Sequence, residues 1–391
     1  MAPEVYILTP YDPRRARTNQ ISDMVTAYGY ATVACKVTLV APSVYLKGRL
    51  QKRAVFEAYG LPEVFQIRYL PVLLLDSMPG RLGKILLRIA HLVYGFFLMI
   101  RILASRQPVL ILSKDALLLS PYLAFRRILP AKNIRIVYWA HELLDRPRER
   151  WVLGQINACL ATNQAIVDDL KTVFHFPEER VLLVSNPIRE ELLSFPELSK
   201  PELRARLNLP PDRPLIVYTG KIYSGQAEIE HLLSAAGRMP EALFVFTGGK
   251  PEVIAGLNAR CRETNSSNIV FTGFLDEYKS VRDYQQAADI LVSYYSAHDH
   301  LVRYNFPNKM LEYFSSGNPV ATADHPALRP FCHAGNCVLV EPDNPEALRT
   351  ALSDLLHDQP RRKQLGEAGR QTARDWTTEK VAGRILGRLF P

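Results

Sequence analysis

Short β-rich apolar runs alternate with helically periodic stretches along nearly the whole chain, the pattern of repeated βαβ units around a mostly parallel sheet. In the first half the runs fall at residues 5–9 (VYILT), 37–40 (VTLV), 67–70 (IRYL), 109–112 (VLIL), 134–139 (IRIVYW), 158–162 (ACLAT) and 181–184 (VLLV), enough for one seven-stranded sheet. Residues 194–214 then carry five prolines and no long apolar run, which reads as a connection. A second series follows at 215–219, 243–247, 269–272, 289–293, 319–323 and 337–341, and predicts a second sheet of the same kind. No solenoid-length repeat is present, so the fold class is α/β with two Rossmann-like domains.

One segment departs from this rhythm. Residues 85–103 (ILLRIAHLVYGFFLMIRIL) are almost entirely apolar and are flanked by Arg81, Lys84, Arg101 and Arg106. Their length just reaches that of a spanning helix, but Arg88 and His91 interrupt the first third and a strand follows within a few residues. Two readings remain: a buried crossover helix before the 109–112 strand, or a membrane-surface helix with a basic rim.

The 391 residues are 48% hydrophobic and 22% charged, well inside the globular range and long enough for more than one domain. A formal net charge of +9 suits a phosphorylated ligand, an anionic membrane surface or a nucleic acid. Basic residues are not interleaved with aromatics along a stripe, which argues against specific nucleic-acid binding. The five cysteines form an odd set without C-x-x-C spacing, so free cysteines in a reducing cytoplasm are expected rather than a disulfide or zinc framework. The N-terminal residues run straight into a strand pattern without the regions of a secretion signal.

The strongest chemical constellation is 306–320 (FPNKMLEYFSSGNPV). Pro307 suits a first helical turn, Gly317 suits the stop, and a buried strand begins at Pro319, so a short helix is expected. Its turn would put Asn308, Lys309 and Glu312 on one face and Met310, Leu311 and Phe314 toward the sheet. A helix N-terminus bearing a lysine favours a diphosphate, and a glutamate one turn deeper can accept two hydrogen bonds from a ribose diol. A solvated polar face remains the plain alternative.

In these residues the chain resembles the retaining glycosyltransferases of family 4, which have the GT-B fold of two facing Rossmann-like domains with a cleft between them. The resemblance is carried by 215–226 (LIVYTGKIYSGQ), 243–249 (LFVFTGG), 269–275 (IVFTGFL), 287–294 (AADILVSY), 307–320 and 337–348, and more weakly by 138–144, 160–171 and 181–188. It implies an N-terminal acceptor domain over 1–193, completed by a C-terminal helix at 377–391, and a nucleotide-sugar donor domain over 194–376. It implies donor contacts from Gly220, Lys221, Gly248, Gly249, Phe274, Leu275, Asn308, Lys309 and Glu312, with Glu312 on the ribose. The family's other glutamate position is held by Tyr304, and the usual second phosphate cation by Gln226, a role Lys309 is expected to assume. His141 and Glu142 fall where the family lines its acceptor side, so His141, Lys221 and Glu312 are the candidate catalytic residues. The loop after the first strand (PYDPRRARTNQ) lacks the family's glycines and offers Arg14, Arg15, Arg17, Thr18 and Asn19 to phosphate or an anionic acceptor.

Other chemistries lack their parts. The chain has no P-loop, no H-E-x-x-H and no G-x-S-x-G. Asp168–Asp169 lies in a helical pattern without D-x-D spacing, which points to a site that needs no metal. The expected activity is transfer of a hexose-type sugar from a UDP-, GDP- or ADP-sugar, with retention, to a glycan or lipid-linked acceptor, with no cofactor. The expected location is cytoplasmic, peripheral on the inner face of a membrane. A nucleotide-sugar epimerase and a catalytically silent nucleotide-sugar-binding protein are the rival readings.

Overall fold

A computed structural model describes residues 3–14, 18–33, 36–43, 52–71, 81–104, 107–128, 133–194, 198–275, 277–298, 303–304 and 307–391, with the backbone alone at 18–20, 43, 52–54, 71, 81–84 and 104. The chain divides into two compact units, Met1–Arg189 with Thr377–Pro391, and Glu190–Trp376.

In the first unit strands and helices alternate: β1 (Glu4–Leu8), α1 (Thr18–Thr32), β2 (Lys36–Ser43), α2 (Lys52–Ala58), β3 (Gln66–Pro71), α3 (Arg81–Ala104), β4 (Val109–Ser113), α4 (Ala116–Ile128), β5 (Ile134–Ala140), α5 (Pro147–Leu153), β6 (Ala158–Ala161), α6 (Gln164–Thr172) and β7 (Val181–Leu183). The sheet is parallel, in the order β3-β2-β1-β4-β5-β6-β7. All residues of β1, β4 and β6 are buried, which is why these strands read as unbroken apolar runs: crossover helices cover both faces.

The second unit begins with α7 (Lys200–Arg206) and continues with β8 (Leu215–Thr219), α8 (Ala227–Ala236), β9 (Leu243–Thr247), α9 (Pro251–Glu263), β10 (Ile269–Gly273), α10 (Tyr278–Ala287), β11 (Ile290–Ser293), α11 (Asn308–Ser316), β12 (Val320–Ala323), β13 (Val338–Val340), α12 (Pro345–His357) and α13 (Gln359–Asp375). Its parallel sheet has the order β10-β9-β8-β11-β12-β13. Counted within each unit, both sheets open 3-2-1-4-5-6, so the chain reverses direction across the sheet between β1 and β4 and again between β8 and β11. Those switch points open a crevice outside the strand C-termini, where ligands of such folds bind.

The last helix, α14 (Thr378–Leu389), belongs to the first unit. The Thr378 amide donates to the Ile188 carbonyl at 2.8 Å. Gly29 of α1 lets the helices touch, because a Cβ there would stand 2.7 Å from the Thr378 Cβ.

One expectation needs correction, and one open reading gains detail. The 194–214 stretch is not a plain connection: α7 lies within it, opened by a capping box between Ser199 and Glu202 and anchored by buried Leu203 and Arg204. Arg204 donates to Asp289 at 2.6 Å, which ties the helix into the second unit. One apolar anchor and a cap suffice for two turns, a signal too short for periodicity to reveal. The 85–103 segment is a crossover helix, but α3 is buried on one side only. Leu87, His91, Met99 and Ile102 are buried, whereas Ile89, Val93 and Phe97 are more than half exposed.

Candidate functional site

Beside the second unit's switch point, β8 and β9 each run directly into a glycine, Gly220 and Gly248, and neighbouring β10 ends on Gly273. The Gly220 amide donates to the Thr247 carbonyl at 3.0 Å, and the Gly248 amide to the Gly273 carbonyl at 2.8 Å. Gly248 and Gly249 have φ of 120° and 89°, a region that favours glycine. A Cβ at Gly248 would sit 1.8 Å from the Gly220 carbonyl oxygen. The ends of β8, β9 and β10 thus form a shelf of bare backbone.

Beside it stands α11. Gly317, in the left-handed conformation at φ 77°, ends the helix and its amide bonds the Phe314 carbonyl. Met310, Leu311, Tyr313 and Phe314 are fully buried. The Tyr313 hydroxyl accepts from the Thr219 amide at 2.8 Å and fixes the helix to the end of β8. Pro307 precedes the first turn, so the amides of Asn308 and Lys309 are among the four that a helix cannot pair internally.

Lys309 does not present its charge as expected. Its ammonium lies 3.1 Å from Glu228 Oε1 of α8, and sits 4.2 Å and 4.7 Å from the ring centroids of Tyr218 and Tyr295. The two side chains are only 11% and 2% exposed. Burial works against the ammonium, but Glu228 and the surrounding tyrosines hold its pKa well above the usual lysine range. Glu228 also accepts from the Tyr218 hydroxyl, from Gln226 Nε2 and from the Tyr294 amide. Gln226 and Lys309 are therefore both bound to Glu228, and the lysine acts inside the unit as a strut. The sequence reading missed Glu228 because an acidic residue in the first turn of a helix looks like ordinary support of the helix dipole.

Lys221, directly after Gly220, is exposed. Phe274 is 72% exposed and Leu275 half-buried, both beyond Gly273 with its φ of 74°. Asn308 and Glu312 are half-buried on α11, and the Glu312 carbonyl accepts from Arg282 at 3.0 Å. Tyr304 is half-buried, with the Arg303 guanidinium 5.4 Å from its ring centroid.

The first unit gathers a polar cluster at its own strand ends. Trp139 and His141 stack at the end of β5 with centroids 6.2 Å apart. Among the described residues, the buried Trp139 Nε1, His141 Nε2 and Asn163 Nδ2 have no hydrogen-bond partner. Asn163 spends its oxygen on capping α6 at the Ile166 amide. Lys114, just past the end of β4, is turned inward. It donates to Ser22 at 2.6 Å, pairs with Asp23 at 3.2 Å and lies 5.1 Å from the Trp139 ring centroid. Arg14 is paired with Asp12, so its charge is not offered to a ligand. Thr18 and Asn19 open α1, Glu142 is exposed, and Arg15 and Arg17 lie outside the described residues. Asp168 accepts from Gln164 across one turn of α6, as its helical pattern implied.

Burial, and next the Lys114 charge, push the His141 pKa down to about 3, so the ring is neutral at physiological pH. Burial alone takes His91 of α3 down to about 4. A histidine held neutral stabilises the fold fully above its unfolded pKa of about 6.5, and that contribution is lost as pH falls toward the folded value. His91→Gln is therefore expected to flatten the loss of stability on acidification below pH ~6.5. Urea unfolding at a series of pH values measures it, and a slope unchanged from the parent would show that His91 is protonated in the native state.

Residues 213–358 match the family model described as Glycosyl transferases group 1. The D-inositol 3-phosphate glycosyltransferase of Xylanimonas cellulosilytica is 26% identical over 247 residues, 61% of this chain and 58% of that protein. The putative teichuronic acid biosynthesis glycosyltransferase TuaC of Bacillus subtilis is 28% identical over 213 residues, 53% of this chain and 49% of that protein. The chain thus spans about half the length of these curated relatives. Among solved structures, Anabaena Alr3699/HepE in complex with UDP superposes with a TM-score of 0.73 at 13% identity, over 99% of both chains. The match to the glycosyl transferases group 1 model thus lies in the second unit, within a chain that has the GT-B fold of two parallel-sheet Rossmann-like units.

Proposed function

We propose that the protein is a glycosyltransferase that takes a hexose-type sugar from a nucleoside diphosphate sugar and passes it, with retention, to a glycan or lipid-linked acceptor. The observation that carries this reading is the bare-backbone shelf of Gly220, Gly248 and Gly273 beside the N-terminus of α11, at the switch point of the second unit, where the group 1 model matches. A diphosphate fits there because exposed Lys221 and the positive end of the α11 dipole both favour negative charge. The base would lie against Phe274 and Leu275, and Glu312 would accept from the ribose hydroxyls. Oriented amides and a cation can stabilise the departing nucleoside diphosphate without reorganising. The sequence has no D-x-D pair, so the proposed transfer is independent of metal. Neutral His141, with Trp139 and Asn163, offers hydrogen bonds on the acceptor side.

A second reading, a catalytically silent nucleotide-sugar-binding protein, draws on the sequestration of Lys309 and Gln226, which leaves Lys221 as the exposed cation of the three expected positions. One experiment addresses both. A panel of UDP-, GDP- and ADP-sugars is screened in EDTA by thermal shift, since a ligand of the native state raises its melting temperature. Calorimetry with the best donor then compares the parent with Glu312→Ala. The variant is expected to bind about tenfold more weakly or worse, because two desolvated ribose hydroxyls lose their acceptor. An unchanged dissociation constant would remove Glu312 from the site, and tight donor binding without turnover over any acceptor would favour the silent reading.

A further inference from the structure

We infer that α3 seats its solvent-facing apolar stripe in the headgroup layer of an anionic phospholipid bilayer. This goes beyond the proposed transferase activity and does not depend on it. Eight of the seventeen large apolar side chains most exposed among the described residues lie on this one helix. They include Ile85, Ile89, Val93, Phe96, Phe97 and Ile100, each between 44% and 65% exposed. At 100° per residue these positions share one face, and from Ile85 to Leu103 the stripe runs for about 27 Å. A continuous apolar stripe of that length is far from the scattered exposure normal for a protein surface and marks an interaction site.

The helix is long and apolar enough to cross a membrane by composition, but its other side is committed to the first unit. His91 Nδ1 bonds the Tyr122 hydroxyl at 3.1 Å. Gly95 packs against Tyr122 and Phe125 of α4. Withdrawing α3 to span a bilayer would break this packing, so the stripe meets the membrane lying in its plane.

Charge selects an anionic lipid surface as the occupant. Between Asp76 and Asp115 the sequence has no acidic residue. By helix geometry Arg88 and Arg101 fall on opposite margins of the stripe. Arg101 and Lys36 both approach Glu4, two cations to one carboxylate, so that margin keeps a net positive charge. Arg68 on β3, the strand that precedes α3, is a further exposed cation of this unit. A symmetric dimer through this face would set the basic margins against each other, whereas anionic headgroups neutralise them.

The test uses the full chain, sedimented with vesicles of phosphatidylcholine alone or mixed with phosphatidylglycerol. Binding is expected to rise with the phosphatidylglycerol fraction and to fall in high salt. The double substitution Val93→Glu and Phe97→Glu is expected to weaken binding about tenfold or more, because apolar contact is lost and anionic charge is added. Both side chains are more than half exposed, so the variant should keep the parent's melting temperature and donor affinity, which separates this result from any failure of the transferase reading. Three outcomes overturn the inference: no sedimentation at any lipid composition, binding unaffected by the double substitution, or a stable dimer in light scattering that the substitution dissolves.

Discussion

Lys309→Met is expected to destabilise the second unit by about 3–5 kcal/mol, the usual cost of removing one partner from a buried ion pair. The cost arises in what remains. Glu228 would keep the Tyr218 hydroxyl, the Gln226 amide and the Tyr294 amide, but its charge would lie at 2% exposure with no cation beside it. Glu228→Gln combined with Lys309→Met should recover much of the loss, since a neutral pair of similar volume removes both the charge and the need to compensate it. Denaturant unfolding of the two single variants and the double variant closes the cycle. If Lys309→Met unfolds like the parent yet loses donor affinity, the lysine is a phosphate ligand after all and the strut assignment is wrong.

Gly248→Ala should cost about 3 kcal/mol or more and abolish binding of the donor. Two effects add. A φ of 120° is strained for any residue with a side chain, and the new methyl would lie 1.8 Å from the Gly220 carbonyl oxygen, which is backbone and cannot swing away. The ends of β8 and β9 would have to part, and with them the shelf on which the diphosphate is proposed to rest. Gly256→Ala on α9 provides the contrast. Nothing lies within 4 Å of a Cβ there, so the same substitution inside a helix should stabilise by about 0.5–1 kcal/mol. Calorimetric melting of both variants decides the matter. Equal melting temperatures would mean that the strand ends are loosely packed and that glycine is dispensable at Gly248.

The strands were legible because parallel strands covered on both faces must be apolar throughout, so each leaves a dense run in the sequence. All thirteen lie where such runs stand, with ends shifted by a few residues at most. The stop of α11 at Gly317 was legible for a similarly local reason: the left-handed conformation of its φ of 77° is one that glycine alone adopts freely. Helix α7 was not legible, since its support comes from Asp289, far along the chain.

The sequence by itself determined the βαβ rhythm, the two sheets, the glycine endings of the site strands and the apolar character of α3. These follow from rules that act over neighbouring residues: burial period, turn conformation and the preferences of helix ends. Only the tertiary structure decided where charges point and which faces stay bare. Lys309 reads as a phosphate cation and nothing local marks a partner for Lys114, yet each turns inward to a carboxylate and lies over an aromatic ring. Their partners Glu228 and Asp23 are 81 and 91 residues away in the chain. Nor could composition say which side of α3 meets solvent, because both sides are apolar and only the packing of α4 selects the buried one. Pairing and exposure depend on what the fold brings from a distance, and a long apolar or basic side chain carries no local mark of its eventual neighbour.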